Sequence, residues 1–436
     1  MATMDLPTMK YIQHIAAILL CSIAPVFGQV VVEDIHRGPQ EKPTRVVLPY
    51  VFQSETFDTA VGIFGAWSRF PQEQSMVYAT AFGSGNGSWR TWVGAYDLQV
   101  PGMERLFLKP DIMWTSYEQV RAYINGNPAF PDGRAGAHDS DRDDFITDGA
   151  EDGSARLGFH YVLPVAAGRE HIIHRVQVDQ GMRVSEPIGG RSWNPFTSGR
   201  STLFAEPFYR FQEIEHDGGT RTLRSNGVKF ALRHDNTDFV LNPSRGSIRS
   251  LALTRDWGTF QSSGAWTHLE LDIRKFLNLG KTGLHRQRVL ALNAWLSDVP
   301  TWEEESTDGV TRAARRPPYF EGSVLGGFYR MRAYPENRFS GRSAVFYSAE
   351  LRAIPRWNPL EKVSIFGAPS VEWWQWVLFG EAGRVAGDFD LGTLHADMKL
   401  DAGAGVRMFS AGRVGRLDVA FSEEGWSLVA MVGQAF

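Results

Sequence analysis

The sequence has little cysteine, no long apolar runs beyond its N-terminus and no excess of one charge, and each shortage excludes a class of protein. Its single cysteine, Cys21, leaves no disulfide and no cysteine cluster for metal or thiol chemistry. After the N-terminal run no stretch of about 18 apolar residues occurs, which excludes a bundle of membrane-spanning helices. A formal net charge of -4 over 436 residues provides no basic field for nucleic acid.

The first 28 residues are predicted to be a secretory signal peptide. Lys10 supplies a basic start, residues 15–27 form an apolar run that is too short to span a membrane, and Gln29 is the expected first mature residue. We expect an irregular lead-in over residues 29–58 and a single large domain over 59–436.

Glycine and aromatic residues are abundant, and they lie in segments with a two-residue period. The segment 342–355 places Val345 and Tyr347 on one face and Phe346 and Glu350 on the other. A charged residue in mid-strand opposite an apolar face suits a sheet with lipid on one side and a polar lumen on the other. We therefore predict an all-β fold, a 16-stranded antiparallel transmembrane β-barrel, with a soluble sandwich or propeller as the alternative. The predicted strands are 59–70, 75–84, 87–98, 103–118, 152–164, 169–183, 199–215, 220–234, 246–257, 262–275, 286–298, 342–355, 369–384, 396–410, 413–422 and 425–436.

Two long gaps interrupt this pattern. If the strand 59–70 rises from the periplasm, the gap 299–341 falls outside the cell, where long barrel loops are expected. The gap 119–151 then falls on the periplasmic side, where turns are usually short. Either two strands in the N-terminal half are miscounted or the chain has a periplasmic insertion, so the side of 119–151 stays open.

Aromatic residues mark the expected membrane boundary. Trp373, Trp374 and Trp376 near the start of one strand are typical of an interfacial girdle, with a carbohydrate-stacking platform as the alternative. The alternation of the last strand predicts that Phe436 faces lipid.

Four fragments in residues 220–436 resemble, in order, the motifs of one family. They are LRHDNTDFVLNPSRG (232–246), LGGFYRMRAY (325–334), VLFGEAGRV (377–385), and the last strands with Gly403, Gly405, Arg407 and RLDVAFS (416–422). This ordered set resembles the Omp85 superfamily, the bacterial surface antigen D15 barrels, which include BamA-like and TamA-like proteins. Residues 59–165 match more loosely. The chain has about thirty residues between the predicted leader and the first predicted strand, so it resembles short members without periplasmic docking (POTRA) domains.

The resemblance implies a lid loop that folds back into the lumen, where its arginine meets an acid on the barrel wall. Carried over, the lid motif is Gly326, Gly327, Arg332 and Tyr334, and the lumen acid is Glu381. An arginine fork is well suited to bidentate pairing with a carboxylate. Ala333 stands where the family usually has glycine. Further candidate lumen charges are Glu350, Arg407 and Asp418.

No catalytic residues, metal site or cofactor are predicted. Asp139, Asp141 and Asp143 have calcium-loop spacing, but the sixth position is Asp144 and the twelfth is Ala150, which favours a solvated acidic loop. A nucleophile motif for a barrel lipase was not found, so we expect a protein that is not an enzyme.

The resemblance implies insertion, assembly or translocation of proteins at the bacterial outer membrane. The family's proposed mechanism opens a weak seam between the first and last strands, here 59–70 and 425–436. The alternative is a passive pore or a structural surface antigen. The implied partners are outer-membrane lipid and either an unfolded β-barrel substrate or a separate periplasmic docking protein.

Overall fold

The computed structural model describes residues 33–36, 43–54, 56–131, 133–307, 310–361, 370–410 and 412–436. The predicted signal peptide lies outside these residues. The described chain is all-β, and its main sheet has sixteen strands when the fourth, which is interrupted at Asp97, is counted once. The strands are β1 Thr44–Ser54, β2 Asp58–Ser68, β3 Met76–Ser84, β4 Trp89–Tyr96 with Leu98–Val100, β5 Met103–Ala122, β6 Ile146–Val162, β7 Arg200–His216, β8 Gly219–Asp235, β9 Gly246–Trp257, β10 Ala265–Asn278, β11 His285–Asp298, β12 Ser343–Pro355, β13 Trp373–Ala386, β14 Lys399–Ser410, β15 Arg413–Ser422 and β16 Gly425–Val432.

Each wall strand pairs antiparallel with the next in sequence, from β1–β2 through to β15–β16. The sheet rolls into a barrel that brings the last strand back to the first. Tyr50 of β1 and Ala430 of β16 share one apolar cluster. Within the described residues, however, no backbone ladder joins β1 to β16. This junction is the seam of the barrel.

The two-residue period separates an apolar outside from a polar inside. In β10 the side chains of Leu269, Leu271 and Ile273 are 39%, 38% and 36% exposed on the outer face, while Glu270 and Asp272 point inward. The same rule puts Tyr347 outside and Glu350 inside β12, as the sequence predicts.

Two strand predictions in the N-terminal half were wrong. The expected irregular lead-in 29–58 contains β1, which pairs with β2 over its whole length. The predicted wall strand 169–183 is instead two short strands, His174–Asp179 and Met182–Arg183, that lie in a small separate sheet. The prediction omitted one wall strand and included one segment that is not in the wall, so the predicted number of sixteen strands is still correct. The seam therefore involves β1 and not 59–70.

The corrected strand order also shows at which end of the barrel the gap 119–151 lies. Its loop, residues 123–145, lies at the same end of the barrel as the long β11–β12 segment, here called the lid end. Arg134 Nη2 donates to the Ser340 carbonyl at 2.8 Å, and the Ser340 N–H donates to the Gly136 carbonyl at 2.8 Å. Of the two readings left open, the miscounted strands explain the anomaly.

The lid end is built by the β11–β12 segment and its neighbours. This segment, the lid, is residues 299–342 and folds inward, as predicted. Its short elements are the hairpin Glu303–Thr307 with Val310–Ala314 and the pair Ser323–Leu325 with Phe339–Gly341. A one-turn helix, Leu391–Leu394, lies in the β13–β14 connection.

The opposite end, here called the terminal end, is filled by other segments. Glu33–His36 pairs parallel with His174–Asp179, and a 3-10 turn covers Ala166–Arg169. Trp373 is only 1% exposed, stacks on Phe409 and donates to the Gly181 carbonyl at 2.8 Å. Of the three predicted girdle tryptophans, Trp373 therefore belongs to the interior, because its register points inward.

The predicted lipid-facing position of Phe436 was wrong. Strand β16 ends at Val432, and Gly433, with φ of 107°, turns the chain. The Phe436 side chain then packs inside the barrel against strands β9 to β11. Its buried neighbours are Ile248, Phe276, Val289 and Ala291.

Between the two filled ends lies a lumenal cavity of about 1560 Å³. Its lining includes Tyr50 of β1, Trp426 and Leu428 of β16, and Arg330 of the lid. The cavity therefore lies directly behind the seam. Among the described residues, the helices are too short or too polar to cross a membrane.

Candidate lid-locking site

The lid tip turns sharply because glycine occupies the two positions that need it. Gly326 and Gly327 have φ of 107° and 108°, which side chains other than glycine rarely adopt. A Cβ on Gly326 would lie 2.2 Å from the Pro335 carbonyl oxygen. The Gly327 N–H donates to the Tyr334 carbonyl at 3.1 Å and closes the loop. This turn delivers residues 331–334 to the inner wall.

Arg332 is the centre of the site, and its side chain is fully buried. Its Nε and Nη2 contact Glu381 Oε1 at 3.0 and 2.9 Å, and its backbone N–H donates to Glu381 Oε2 at 2.9 Å. Nη2 also lies 2.8 Å from Glu350 Oε1, and Nη1 lies 2.7 Å from Asp418 Oδ2. One lid guanidinium thus joins carboxylates from three wall strands.

The wall strands present these acids because each occupies an inward position. Glu350 is on β12, Glu381 on β13 and Asp418 on β15. Asp401 of β14 lies directly across from Glu381 and accepts the Ala333 N–H at 3.1 Å. Each of the four consecutive strands β12 to β15 therefore contributes one carboxylate to the lid.

Three wall arginines balance the acids. Arg352 Nε donates to Glu350 Oε2 at 2.7 Å, Arg407 bonds Asp418, and Arg416 lies 3.7 Å from Asp418. All three are fully buried. With Arg332, four arginines face the four carboxylates, which is the condition for keeping so many charges inside a protein.

The network also reaches two further segments. Arg416 Nη2 donates to the lid carbonyl of Phe328 at 2.7 Å. Arg352 Nη2 donates to the main-chain oxygen of Phe436 at 3.3 Å, and its guanidinium lies 4.9 Å from that residue's ring centroid. A continuous chain of contacts thus runs from Arg332 through Glu350 and Arg352 to Phe436.

Two small features of the wall make room for the network. The Phe379 ring lies 3.5 Å from the Arg332 guanidinium, a favourable cation–π distance. A Cβ on Gly403 would lie 2.5 Å from that ring, and a Cβ on Gly405 would lie 1.9 Å from Asp418 Oδ1. The two glycines of the Gly403, Gly405, Arg407 motif therefore leave the space that the charged cluster needs in order to pack against the wall.

Electrostatics keeps Arg332 charged. Burial alone disfavours the guanidinium, but Glu381, Glu350 and Asp418 raise the pKa of Arg332 well above its ordinary value. Arg330, two residues earlier, differs. Burial lowers its pKa, and it lies over the Trp295 ring at 3.8 Å, without an ion pair among the described residues.

The structure brings together the residues that the sequence predicted for this site. The lid motif residues, Glu381 and the three candidate lumen charges Glu350, Arg407 and Asp418 all lie in or beside the network. The Tyr334 hydroxyl donates to the Leu400 carbonyl at 3.2 Å, and Ala333 is accommodated at the tip with its N–H bonded to Asp401.

Sequence reasoning missed Asp401, Arg352 and Arg416. Each sits on the inward register of its strand beside a predicted member, so alternation could have found them. It also missed Arg338, which is fully buried and pairs with Glu424 at 2.8 Å while donating to Ser140. The contact between Arg338 and Ser140 joins the lid to loop 123–145, and no local pattern in the sequence predicts it.

Comparison with known proteins gives the fold a context. No protein-family model matches the chain, and no curated protein matches it. CdiB from Escherichia coli aligns structurally with a TM-score of 0.53 at 12% identity, over 89% of this chain and 62% of that one. The chain shares the barrel fold of that protein.

Two other solved structures are similar to this barrel at lower scores. BamA from Haemophilus ducreyi lacking POTRA domains 1-3 has a TM-score of 0.46 at 10% identity, over 91% of this chain and 69% of that one. CdiB from Acinetobacter baumannii has 0.49 at 9% identity, over 89% and 59%. The chain thus spans less than two thirds of the length of either CdiB.

The chemistry available to the site is ionic locking. Its arginines form ion pairs with Glu350, Glu381 and Asp418, and the described residues contain no group of three His, Cys, Asp or Glu side chains that could hold a metal ion. Acidic residues Asp141 and Asp143 of the lid-end loop instead form a local turn, in which the Asp143 N–H donates to Asp141 Oδ1 at 2.9 Å.

Proposed function

We propose that this protein is an outer-membrane barrel that assists the insertion, assembly or translocation of polypeptides, with the lid as its lock. The observation that carries the proposal is the seam. β1 and β16 meet through side chains such as Tyr50 and Ala430, and the described part of the chain has no ladder between them, while the other neighbouring wall strands are hydrogen-bonded. Unpaired strand edges are templates for an incoming strand.

The position of the cavity supports the same function. It lies behind the seam and is lined by both β1 and β16, so an opened seam would connect the surrounding bilayer with a polar interior. The lid tip contributes Arg332 and Tyr334 to the same lining. A strand entering the seam would meet the lid first.

A passive pore or a structural surface antigen is the second candidate. The filled terminal end and the docked lid favour it less, because both obstruct a steady aqueous path. In planar bilayers we expect small, unstable conductance. Large steady channels that are unchanged when residues 310–340 are deleted would favour the passive pore instead.

The proposal is tested by cross-linking the seam. Cysteines at Tyr50 and Ala430, joined by a short bifunctional reagent, should abolish any acceleration of the folding of a second barrel into liposomes. The matched control places cysteines at Val61 and Gly83, which already face one another across the β2–β3 ladder. Equal inhibition by both cross-links would contradict the role of the seam, and no acceleration by the parent protein would remove the insertase function.

A further inference from the structure

The turn between β10 and β11 carries an unusual concentration of basic side chains at the terminal end. From 273 to 297 the sequence contains no Asp or Glu. Lys281 is exposed, Arg286 and Arg288 are partly exposed, and Arg356 joins them from the β12–β13 connection. The Arg356 backbone N–H donates to the Leu284 carbonyl at 2.9 Å. We call these four residues the basic patch.

Main-chain contacts hold the patch in place. Arg356 Nε donates to the Thr282 carbonyl at 3.1 Å, and Arg288 Nη2 donates to the Leu279 carbonyl at 2.7 Å. Within the described residues, none of the four basic side chains forms an ion pair with a carboxylate. This distinguishes them from four other exposed arginines, each of which is paired with Asp or Glu in the part of the chain that the structure describes. Those four are Arg142, Arg175, Arg191 and Arg315.

Large apolar side chains surround the patch on the outer face. Leu284 is 76% exposed and Trp357 is 67% exposed. Trp374 donates its indole N–H to the Trp357 carbonyl at 2.9 Å, and Trp376 packs edge-on against His285. Tryptophan beside arginine and lysine at the end of an apolar wall is the arrangement found where a protein crosses the headgroup level of a bilayer.

We infer that the basic patch is a binding site for the phosphate of anionic phospholipid in the leaflet that surrounds the terminal end. Arginine and lysine without carboxylate partners can bind a phosphodiester, and arginine can do so bidentately. The exposed Leu284 and Trp357 select a lipid over a free anion, because they need acyl chains beside them. The inference rests on the proposed membrane residence.

The test uses Gly283 as a reporter position, because a Cβ there meets no atom within 4 Å. The Gly283→Cys protein is labelled with a fluorophore and reconstituted in phosphatidylcholine vesicles that contain a minority of phosphatidylglycerol. Bromine is placed on one lipid or the other. We expect brominated phosphatidylglycerol to quench at least about threefold more than its bulk fraction predicts, and high salt to reduce this preference.

Two variants distinguish an effect of the basic patch on lipid preference from an effect of net charge. Replacing Lys281, Arg286, Arg288 and Arg356 by Gln should return quenching to the bulk lipid composition. Replacing the four paired arginines Arg142, Arg175, Arg191 and Arg315 by Gln removes the same charge and should leave the preference intact.

Each outcome decides one point. Failure of the parent protein to float with vesicles contradicts the proposed membrane residence. Insertion without a preference for phosphatidylglycerol overturns the lipid site, whatever the variants do. Loss of the preference on adding millimolar inorganic phosphate at constant ionic strength would assign the patch to a soluble anion and also overturn it.

Discussion

Removing the Arg332 guanidinium should release the lid. Arg332→Met keeps much of the side-chain volume but leaves Glu350, Glu381 and Asp418 with one cation fewer, in a site where all these side chains are buried. Breaking a buried ion pair by removing one partner costs about 3–5 kcal/mol. The lid-open state should therefore become roughly 100- to 4,000-fold more populated, at about 1.4 kcal/mol per factor of ten.

Cysteine accessibility measures this population. Ala333 lies at the lid tip and is 5% exposed, so Ala333→Cys should react with a soluble maleimide only when the lid opens. Cys21, the only natural cysteine, lies in the predicted leader. The reaction rate in Arg332→Met, relative to the parent, reports the change in lid opening, and heat-dependent gel mobility checks that the barrel itself stays folded.

The matched control is Arg330→Met. Arg330 is on the same loop but lies over Trp295 without an ion pair in the described residues, so its loss should cost about 0.5–2 kcal/mol. Equal labelling rates in the two variants would refute the locking role of Arg332. Swapping Arg332 and Glu381 should not restore the lid, because the swap leaves Glu350 and Asp418 beside a new carboxylate.

Three further perturbations test other parts of the structure. Gly405→Ala should lower the free energy of unfolding by about 1–3 kcal/mol because its Cβ would overlap the charged cluster, whereas Gly65→Ala, which meets open space, should be nearly neutral in denaturant titrations. Phe436→Ala should cost about 3–5 kcal/mol in the same assay, and an unchanged midpoint would contradict its place in the interior. Arg338→Met should leave Glu424 unpaired and speed proteolysis of loop 123–145; unchanged cleavage would argue against that contact.

Alternation explains why so much of the wall could be predicted. A strand between lipid and a polar lumen must alternate, so the pattern in β10 or β12 determines both the strand and the side that each residue faces. The local sequence does not determine which strands pair with one another, and the prediction of strand pairing failed at one segment. His174–Asp179 alternates like a wall strand but pairs outside the wall.

The missed strand β1 has a different cause. Pro49 lies at its centre, and proline interrupts most strand patterns. Proline is nevertheless tolerated in an edge strand, and within the described residues no ladder joins β1 to β16 at the seam. Phe436 was misplaced because the alternation of β16 was extended past Gly433, where the chain turns.

Glu350 connects the lid end of the barrel with its terminal end. One of its oxygens holds Arg332 and the other holds Arg352, which in turn holds the main chain at Phe436. Withdrawal of the lid would leave Arg352 as the nearest remaining cation on Glu350 and strengthen its hold there. A movement of the lid would in this way reach the segment that follows β16, through side chains that never leave the wall.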